Sequence, residues 1–457
     1  MPREKGFIYS FVFLMIAVST SWAQQSPDPT LAHPEQQQQP TSGQRMPGMQ
    51  MPQGQPQMGM TVSTAFLTRQ SDGTSVQPTA WDMPMVMTRS GNWLLMWMGQ
   101  AFLVETQQTG PPGGRSTPAA TGLDKLWSTN WGMLGAFHPL GKGSVMLRTM
   151  LSLEPATITD RRYPELFQTG ETAYGVPLVD GQHPHNFVME LAAEYARPIH
   201  SVAAYIYYAP VGDPALGPPA FPHRASAAEL PQATLGHHWE DSTHIAYNVA
   251  TIGGEKGIVR VEASGFYGRE PGEDRWGVPF GPMDSWAARI SVMPSASWTF
   301  EASTGELHHP EALEPGNQER TVASAEYARG MNAASVIWGR DYKTVGRFAV
   351  NALTIEGVIG AGPKNFITGR FEWSQRDELF AADPPIQNAF LAAGYRWFDV
   401  AAYTGGYTRD LGTWHDAEIG LGANITAYSV PQLIQPYYGA HPFGVNVYLR
   451  VRLRGQH

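Results

Sequence analysis

The 457-residue chain contains no cysteine, which excludes disulfide bonds, thiolate metal sites and cysteine nucleophiles. Charged residues make up only 16% of the chain, whereas about a quarter is usual for soluble proteins. The net charge is −9, so we expect no nucleic-acid partner, which would require a basic surface. Past the N-terminus, no apolar run reaches the roughly 18 residues of a spanning helix. A membrane-embedded form of this chain would therefore have to cross the bilayer with strands.

The N-terminus has the pattern of a secretory signal peptide. Arg3 and Lys5 precede an apolar run over residues 7–18, and small residues flank Trp22 at the expected cleavage site. The run is about 12 residues long, whereas a membrane anchor needs about 20. We therefore predict a cleaved signal peptide over residues 1–23 and a mature chain that begins at Gln24.

Residues 24–80 are dominated by Gln, Pro, Gly and Met, and we predict that they form a disordered periplasmic arm. Such a segment has too little apolar surface to offset the entropy lost on ordering. Met46, Met49 and Met51 lie in this arm, and soft thioethers suit monovalent copper. The alternative is a compositional bias in a solvated tail, where methionine costs little.

Beyond residue 90 the dominant period is two, which is the period of strands with one apolar face. The last strand is the clearest: Val445, Val447, Leu449, Val451 and Leu453 alternate with Asn446, Tyr448, Arg450 and Arg452. Two arginines on one face do not suit a dry core, but they suit a wet lumen with the aliphatic face against lipid. We therefore predict an all-β, transmembrane antiparallel outer-membrane β-barrel over residues 81–457.

Seventeen candidate strands can be placed, beginning near residues 92, 127, 143, 187, 201, 243, 257, 284, 297, 321, 333, 347, 365, 389, 401, 416 and 445. Because bacterial barrels normally have an even number of strands, we expect about 16, within a range of 14–18. Tight turns alternate with long segments at 155–186, 210–242, 269–283 and 307–320. A soluble propeller or sandwich is the alternative, but no blade-length repeat is visible.

Histidines are concentrated in the long segments, and they are the candidate metal ligands. The set comprises His183, His185, His237, His238 and His244, with Glu240 and Asp241 as carboxylate partners and Met46, Met49 and Met51 in the arm. Imidazole and carboxylate bind zinc, copper or nickel, and we expect no cofactor other than copper or zinc. The alternatives are hydrogen-bonded loop packing, a latch between neighbouring loops, or a response to pH. We expect the two histidine-bearing loops to meet over the lumen.

Several loop motifs resemble those of a family of uncharacterised bacterial outer-membrane proteins. They are Asp180-Gly181-Gln182-His183-Pro184-His185-Asn186-Phe187, Ala209-Pro210-Val211-Gly212, Ala220-Phe221-Pro222-His223-Arg224, the stretch from Leu235 to His244, and Glu311-Ala312-Leu313-Glu314-Pro315-Gly316. The resemblance covers residues 80–457 and implies a barrel without an established activity. The Met-rich arm followed by a barrel is also similar in architecture to the outer-membrane copper-resistance proteins of the CopB type. The dense Met-His repeats of that family are missing here.

The polar strand faces predict a porin-like channel or a barrel that binds a small solute or ligand. The lumen charges would be Glu190, Glu194, Arg260, Glu262, Arg289, Arg370, Glu372, Arg450 and Arg452, which either set selectivity or form a salt-bridged plug. The alternative is outer-membrane metal handling, with copper as its first candidate. We expect no enzyme, because Ser242 beside His237 or His244 is a weak match to a hydrolase site. The expected partners are the outer-membrane bilayer, the barrel assembly machinery, and a small solute or metal ion.

Overall fold

The structure, a computed structural model, describes residues 60–109 and 124–454. The strands are β1 (Val86–Ser90), β2 (Trp93–Gln108), β3 (Asp124–Leu140), β4 (Gly143–Leu151), β5 (Tyr163–Ala173), β6 (Val176–Gln182), β7 (Val188–Ile199), β8 (Val202–Gly212), β9 (Ala246–Lys256), β10 (Val259–Tyr267), β11 (Ser285–Ser295), β12 (Trp298–Leu307), β13 (Gln318–Arg329), β14 (Asn332–Lys343), β15 (Phe348–Gly360), β16 (Asn365–Arg376), β17 (Phe398–Trp414), β18 (Ala417–Ser429) and β19 (Phe443–Leu453). The helices are α1 (Val62–Leu67), α2 (Glu154–Thr157), α3 (His237–Glu240), α4 (Pro384–Ala392) and α5 (Gln435–Tyr438).

Sixteen of these strands, β2–β4 and β7–β19, form one closed antiparallel barrel. The ring closes between β19 and β2, where Gly444 pairs with Gln108 and Arg452 with Gln100. β4 pairs directly with β7, because β5 and β6 form a separate two-stranded hairpin. The predicted barrel fold and the expected count of 16 strands are confirmed.

The barrel forms because its strands alternate between an apolar and a polar face. In β19, Val447 and Leu449 are 49% and 38% exposed, whereas Arg450 and Arg452 are 0% and 1% exposed. Apolar residues therefore point outward and charged residues inward, which is the reverse of a soluble protein and the pattern of a lipid-embedded barrel. Exposed aromatics lie at strand ends, among them Trp286, Trp298, Trp414 and Phe443. These features place the protein in the bacterial outer membrane.

One predicted strand is wrong. The segment that begins near residue 389 belongs to helix α4, which leaves sixteen of the seventeen candidates in the barrel. Asp383 caps this helix by accepting a hydrogen bond from the backbone N–H of Ile386, and prolines occupy its first turn. A cap followed by proline at the first helical positions is a helix start, and the alanines that follow favour a helix over a strand. In the described part of the chain, no helix is long and apolar enough to cross a membrane.

The N-terminal boundary also differs from the prediction. Residues 60–80 are folded inside the barrel, with α1 capped by Thr61 and with Phe66 and Leu67 buried. The side chain of Gln70 donates to Glu194 on β7 at 2.9 Å. These residues carry enough apolar and hydrogen-bonding groups to pack, so the predicted arm boundary at residue 80 is too late. The signal peptide, the remainder of the arm and its Met46, Met49 and Met51 lie outside the described residues.

The two ends of the barrel differ in their connections. Short turns such as Gly141-Lys142 and Gly257-Ile258 join the strands at one end. The long segments connect strands at the other end, and two of them fold back into the barrel. We call residues 213–245, between β8 and β9, the plug, and the β5–β6 pair the rim hairpin. The plug and the rim hairpin carry the candidate site.

Candidate functional site

The plug is buried across almost its whole length and is held by charged residues of the barrel wall. Arg289 on β11 donates to the carbonyl oxygen of Gly217 at 2.9 Å, and Arg370 on β16 donates to that of Ala233 at 2.9 Å. From the plug itself, Arg224 donates to Glu356 on β15 at 2.7 Å. The plug is therefore fixed to strands that lie far apart around the barrel.

A second group of contacts anchors the middle of the plug to the last strand. Glu229 accepts a hydrogen bond from Arg452 at 2.8 Å and another from Arg450, and its backbone carbonyl accepts from Tyr448 at 2.9 Å. The nine predicted lumen charges are each less than 5% exposed: Glu190, Glu194, Arg260, Glu262, Arg289, Arg370, Glu372, Arg450 and Arg452. In this conformation the wall charges contact protein rather than a water-filled path.

The structure brings the two histidine-bearing loops together. The rings of His185 and His244 lie 5.2 Å apart, those of His237 and His244 lie 5.4 Å apart, and those of His183 and His237 lie 6.4 Å apart. All four are at most 6% exposed. We call His183, His185, His237 and His244 the histidine cluster.

Each imidazole of the histidine cluster has a polar partner on at least one ring nitrogen. Nδ1 of His185 lies 2.9 Å from Oε2 of Glu154, and Nε2 of His183 lies 3.1 Å from Oε1 of Glu171. Nδ1 of His237 lies 2.6 Å from Oδ1 of Asp241, and Nδ1 of His244 lies 3.0 Å from the Asp241 carbonyl oxygen. The cluster thus joins the plug to the rim hairpin and to α2.

Burial favours the neutral form of three imidazoles of this cluster. It lowers the pKa of His183, His237 and His244, because an imidazolium would lose its hydration there. Burial alone would raise the pKa of Asp241, but His237 and Arg224 beside it hold that pKa below its usual value. Burial thus favours the neutral form of these three imidazoles beside the ionised Asp241, an arrangement that suits a hydrogen-bonded latch.

Two predicted ligands have polar neighbours other than those of the cluster. Glu240 accepts a hydrogen bond from Thr354 of β15 at 2.9 Å, so it points to the wall. His238 borders the cluster, with its ring 5.6 Å from that of His183, but its Nδ1 lies 3.8 Å from Oε2 of Glu270. Glu240 is thus a plug–wall contact, and His238 belongs to a different group of side chains.

Among the described residues, two groups of three ligand atoms lie within 4.8 Å of one another. They are His238–Glu270–Glu311 and Glu311–Glu314–Glu378. The histidine cluster is not one of them, so its imidazoles do not converge on a single point. Glu270 and Glu311 were missed by the sequence analysis, although Glu311 opens one of the motifs that carry the family resemblance.

The hydroxyl of Ser242 interacts with charged groups. It accepts a hydrogen bond from Arg320 at 2.6 Å and donates to Glu270 at 3.1 Å. A serine nucleophile needs a neighbouring base, whereas here the hydroxyl is held by a guanidinium and a carboxylate. The geometry gives Ser242 a structural role at the junction of the plug and the wall.

The barrel is similar to several solved structures of bacterial outer-membrane proteins. The sequence matches no protein-family model and no curated protein. The outer-membrane channel DcaP of Acinetobacter baumannii is 8% identical with a TM-score of 0.49, covering 80% of this chain and 99% of DcaP. OmpF of Salmonella typhi, solved in complex with daunomycin, is 9% identical with a TM-score of 0.48, covering 80% of this chain and 100% of OmpF. The anion-selective porin from Comamonas acidovorans is 9% identical with a TM-score of 0.48, covering 79% of this chain and 100% of the porin.

Proposed function

We propose that the protein is a small-solute channel of the outer membrane that is closed by its own plug. The observation that carries the proposal is the set of wall arginines that bind plug carbonyls and carboxylates across the lumen, including Arg289, Arg370 and Arg452. A charged wall is what a solute path through a barrel requires. The same wall serves as the anchor of the plug while the path is closed.

The plug is anchored chiefly by polar contacts, and this favours a removable closure. A hydrogen bond between protein groups can be exchanged for one to water at a net cost of about 1 kcal/mol, or about 1.5–3 kcal/mol when one group is charged. The wall that is left behind is polar and stays wettable. Apolar contacts also hold the plug. Leu216 lies in a buried cluster with Phe266 and Leu307, and Trp239 lies in one with Val350 and Ala352.

The chain offers a direct test, because it contains no cysteine. The hydroxyls of Ser226 in the plug and Ser335 on β14 lie 2.8 Å apart. A Ser226→Cys/Ser335→Cys variant should form a disulfide that ties the plug to the wall. Planar-bilayer recordings should show gated conductance for the wild type, persistent closure for the oxidised variant, and recovery after reduction.

Ser335→Cys alone is the matched control, since it changes the wall without making the bond. A large, steady conductance of the wild type, or equal conductance of the oxidised and reduced double variant, would contradict a plug-closed channel. Copper handling by Met46, Met49 and Met51 stays a separate prediction. Metal tolerance of a deletion strain, compared with one that lacks only residues 24–59, tests it.

A further inference from the structure

We infer that His238, Glu270 and Glu311 form a binding site for a divalent transition-metal ion. Zinc is the ion with which this site is tested. The three residues each offer one ligand atom, and these atoms lie within 4.8 Å of one another. They come from α3 of the plug, from the β10–β11 connection and from the β12–β13 connection. An ion at this point would join the plug to two loops of the barrel end.

His238 is the residue that points to a ligand. Its side chain is 4% exposed, yet neither Nδ1 nor Nε2 has a hydrogen-bond partner. The four imidazoles of the histidine cluster each have a partner on a ring nitrogen, so His238 differs from them. A buried imidazole without a partner costs free energy, which a metal ion bound at one ring nitrogen would recover.

One carboxylate oxygen of Glu270 has hydrogen-bond partners and the other has none. Its Oε1 accepts hydrogen bonds from Arg320 at 2.8 Å and from Ser242 at 3.1 Å. Its Oε2 is buried without a partner and lies 3.8 Å from Nδ1 of His238. The unpartnered oxygen and the unpartnered imidazole therefore lie next to each other, while Arg320 holds the other oxygen of the carboxylate.

Glu311 is the third ligand and the most exposed of the three. It is half-buried, and Gln318 donates a hydrogen bond to its Oε1 at 3.1 Å. Glu311 also lies within 4.8 Å of Glu314 and Glu378, so further carboxylates continue outward from the site. Lys343 pairs with Glu314 at 2.5 Å and balances part of this negative charge. The ion would therefore be held by His238, Glu270 and Glu311.

The donor set selects the class of ion. One imidazole nitrogen and two carboxylate oxygens suit zinc and its neighbours in the first transition row, whereas magnesium and calcium prefer oxygen alone. Zinc binds nitrogen and oxygen at about 2.0–2.2 Å, so the three ligand atoms would draw together by roughly 1 Å. Three protein ligands leave a fourth position open for water or an exchanging ligand.

The test is zinc binding to the purified full-length mature protein in detergent, measured by calorimetry with zinc chloride alone. We expect one site in the wild type and at least a tenfold weaker affinity in both His238→Gln and Glu311→Gln. Glu311 is half-buried and glutamine is isosteric, so this second variant keeps the fold even if His238→Gln does not. His308→Gln, which alters a half-exposed histidine in the loop of Glu311, is the control and should bind like the wild type.

X-ray absorption of the protein with one equivalent of zinc gives the ligand set. The expected first shell contains one imidazole and oxygen ligands. A shell with several imidazoles or with sulfur, or equal zinc affinity in the wild type and both variants, would overturn the site. Zinc binding is measured without conductance, so its failure is distinguishable from failure of the plugged-channel proposal.

Discussion

Asp241 joins His237 to Arg224 within the plug. Its Oδ1 lies 2.6 Å from Nδ1 of His237, and its Oδ2 accepts a hydrogen bond from Arg224 at 2.8 Å. Arg224 in turn donates to Glu356 of the wall at 2.7 Å. One carboxylate therefore connects the histidine cluster to the barrel.

Asp241→Asn should release the plug. The change removes one partner of a buried charge pair, and breaking such a pair costs about 3–5 kcal/mol. We expect more frequent opening in planar-bilayer recordings, with an unchanged barrel on heat-modifiable gel migration. Asp160→Asn is the control, because the side chain of Asp160 is 73% exposed. Identical gating of the two variants would show that Asp241 does not hold the plug.

Leu449→Arg should impair assembly of the barrel. Leu449 is 38% exposed on the outer face of β19, and an arginine at the lipid midplane costs about 2–4 kcal/mol. Arg450→Leu should impair assembly less and alter conductance, because Arg450 faces the lumen, where it binds Glu229 of the plug. The folded fraction on gels distinguishes the two, with Leu449→Ile as the control. The opposite ranking would mean that the faces of β19 are reversed.

Acidification should weaken the plug through His223. Burial lowers the pKa of this plug residue to about 4, whereas an unfolded histidine titrates near 6.5. The charged groups that face it are Asp72 and Asp241, which raise the pKa, and His185 and Arg148, which lower it. His223 of the released plug binds the proton more tightly than His223 of the docked plug, so protonation favours release. The stability of the docked plug is fully present above about pH 6.5 and falls by roughly 3 kcal/mol as the pH drops towards 4.

Hydrogen-exchange protection of residues 217–236, measured between pH 7.5 and 4.5, checks this dependence. We expect protection to fall on acidification in the wild type and to fall less in His223→Gln. His308→Gln serves as the control, because this residue is half exposed near the barrel end. A wild-type response that His223→Gln leaves unchanged would assign the pH dependence to other groups.

Gly170→Ala should weaken zinc binding at His238. Gly170 of the rim hairpin has a φ of +118°, and an added Cβ would lie 2.6 Å from Nε2 of the His238 ring. The imidazole would have to move, so we expect at least a tenfold loss of zinc affinity by calorimetry. Gly175→Ala is a matched control, since Gly175 has a φ of +75° with nothing within 4 Å of the added Cβ. Equal losses in both would attribute the effect to backbone strain alone.

The barrel could be predicted from the sequence because its strands carry their information locally. In β12, Trp298 and Phe300 alternate with Thr299 and Glu301, and the structure exposes the first pair and buries the second. The helix α4 was missed because a short apolar run does not by itself distinguish a strand from a helix. Its Asp383 cap and the two prolines that follow were the signal that identifies it.

Only the part of the site that is formed by neighbouring loops could be predicted from the sequence. The plug and the rim hairpin flank the β7–β8 hairpin, so the approach of His183 to His237 follows from connectivity. Glu270 and Glu311 arrive from connections further along the chain, and no local pattern marks them as partners of His238. The turn of Glu240 towards Thr354 depends on how the plug docks, which only tertiary packing decides.

The position of the plug in the chain has a consequence for the order of assembly. The plug precedes β9, yet its partners Glu356 and Arg450 follow it by 132 residues from Arg224 and by 221 residues from Glu229. The contact of Glu229 with Arg450 cannot form until the last strand, β19, is in place, and such long-range contacts form slowly. Glu229 must therefore stay hydrated, or find another partner, while the ring of strands is still open. Docking of the plug is completed only after β19 has joined the wall.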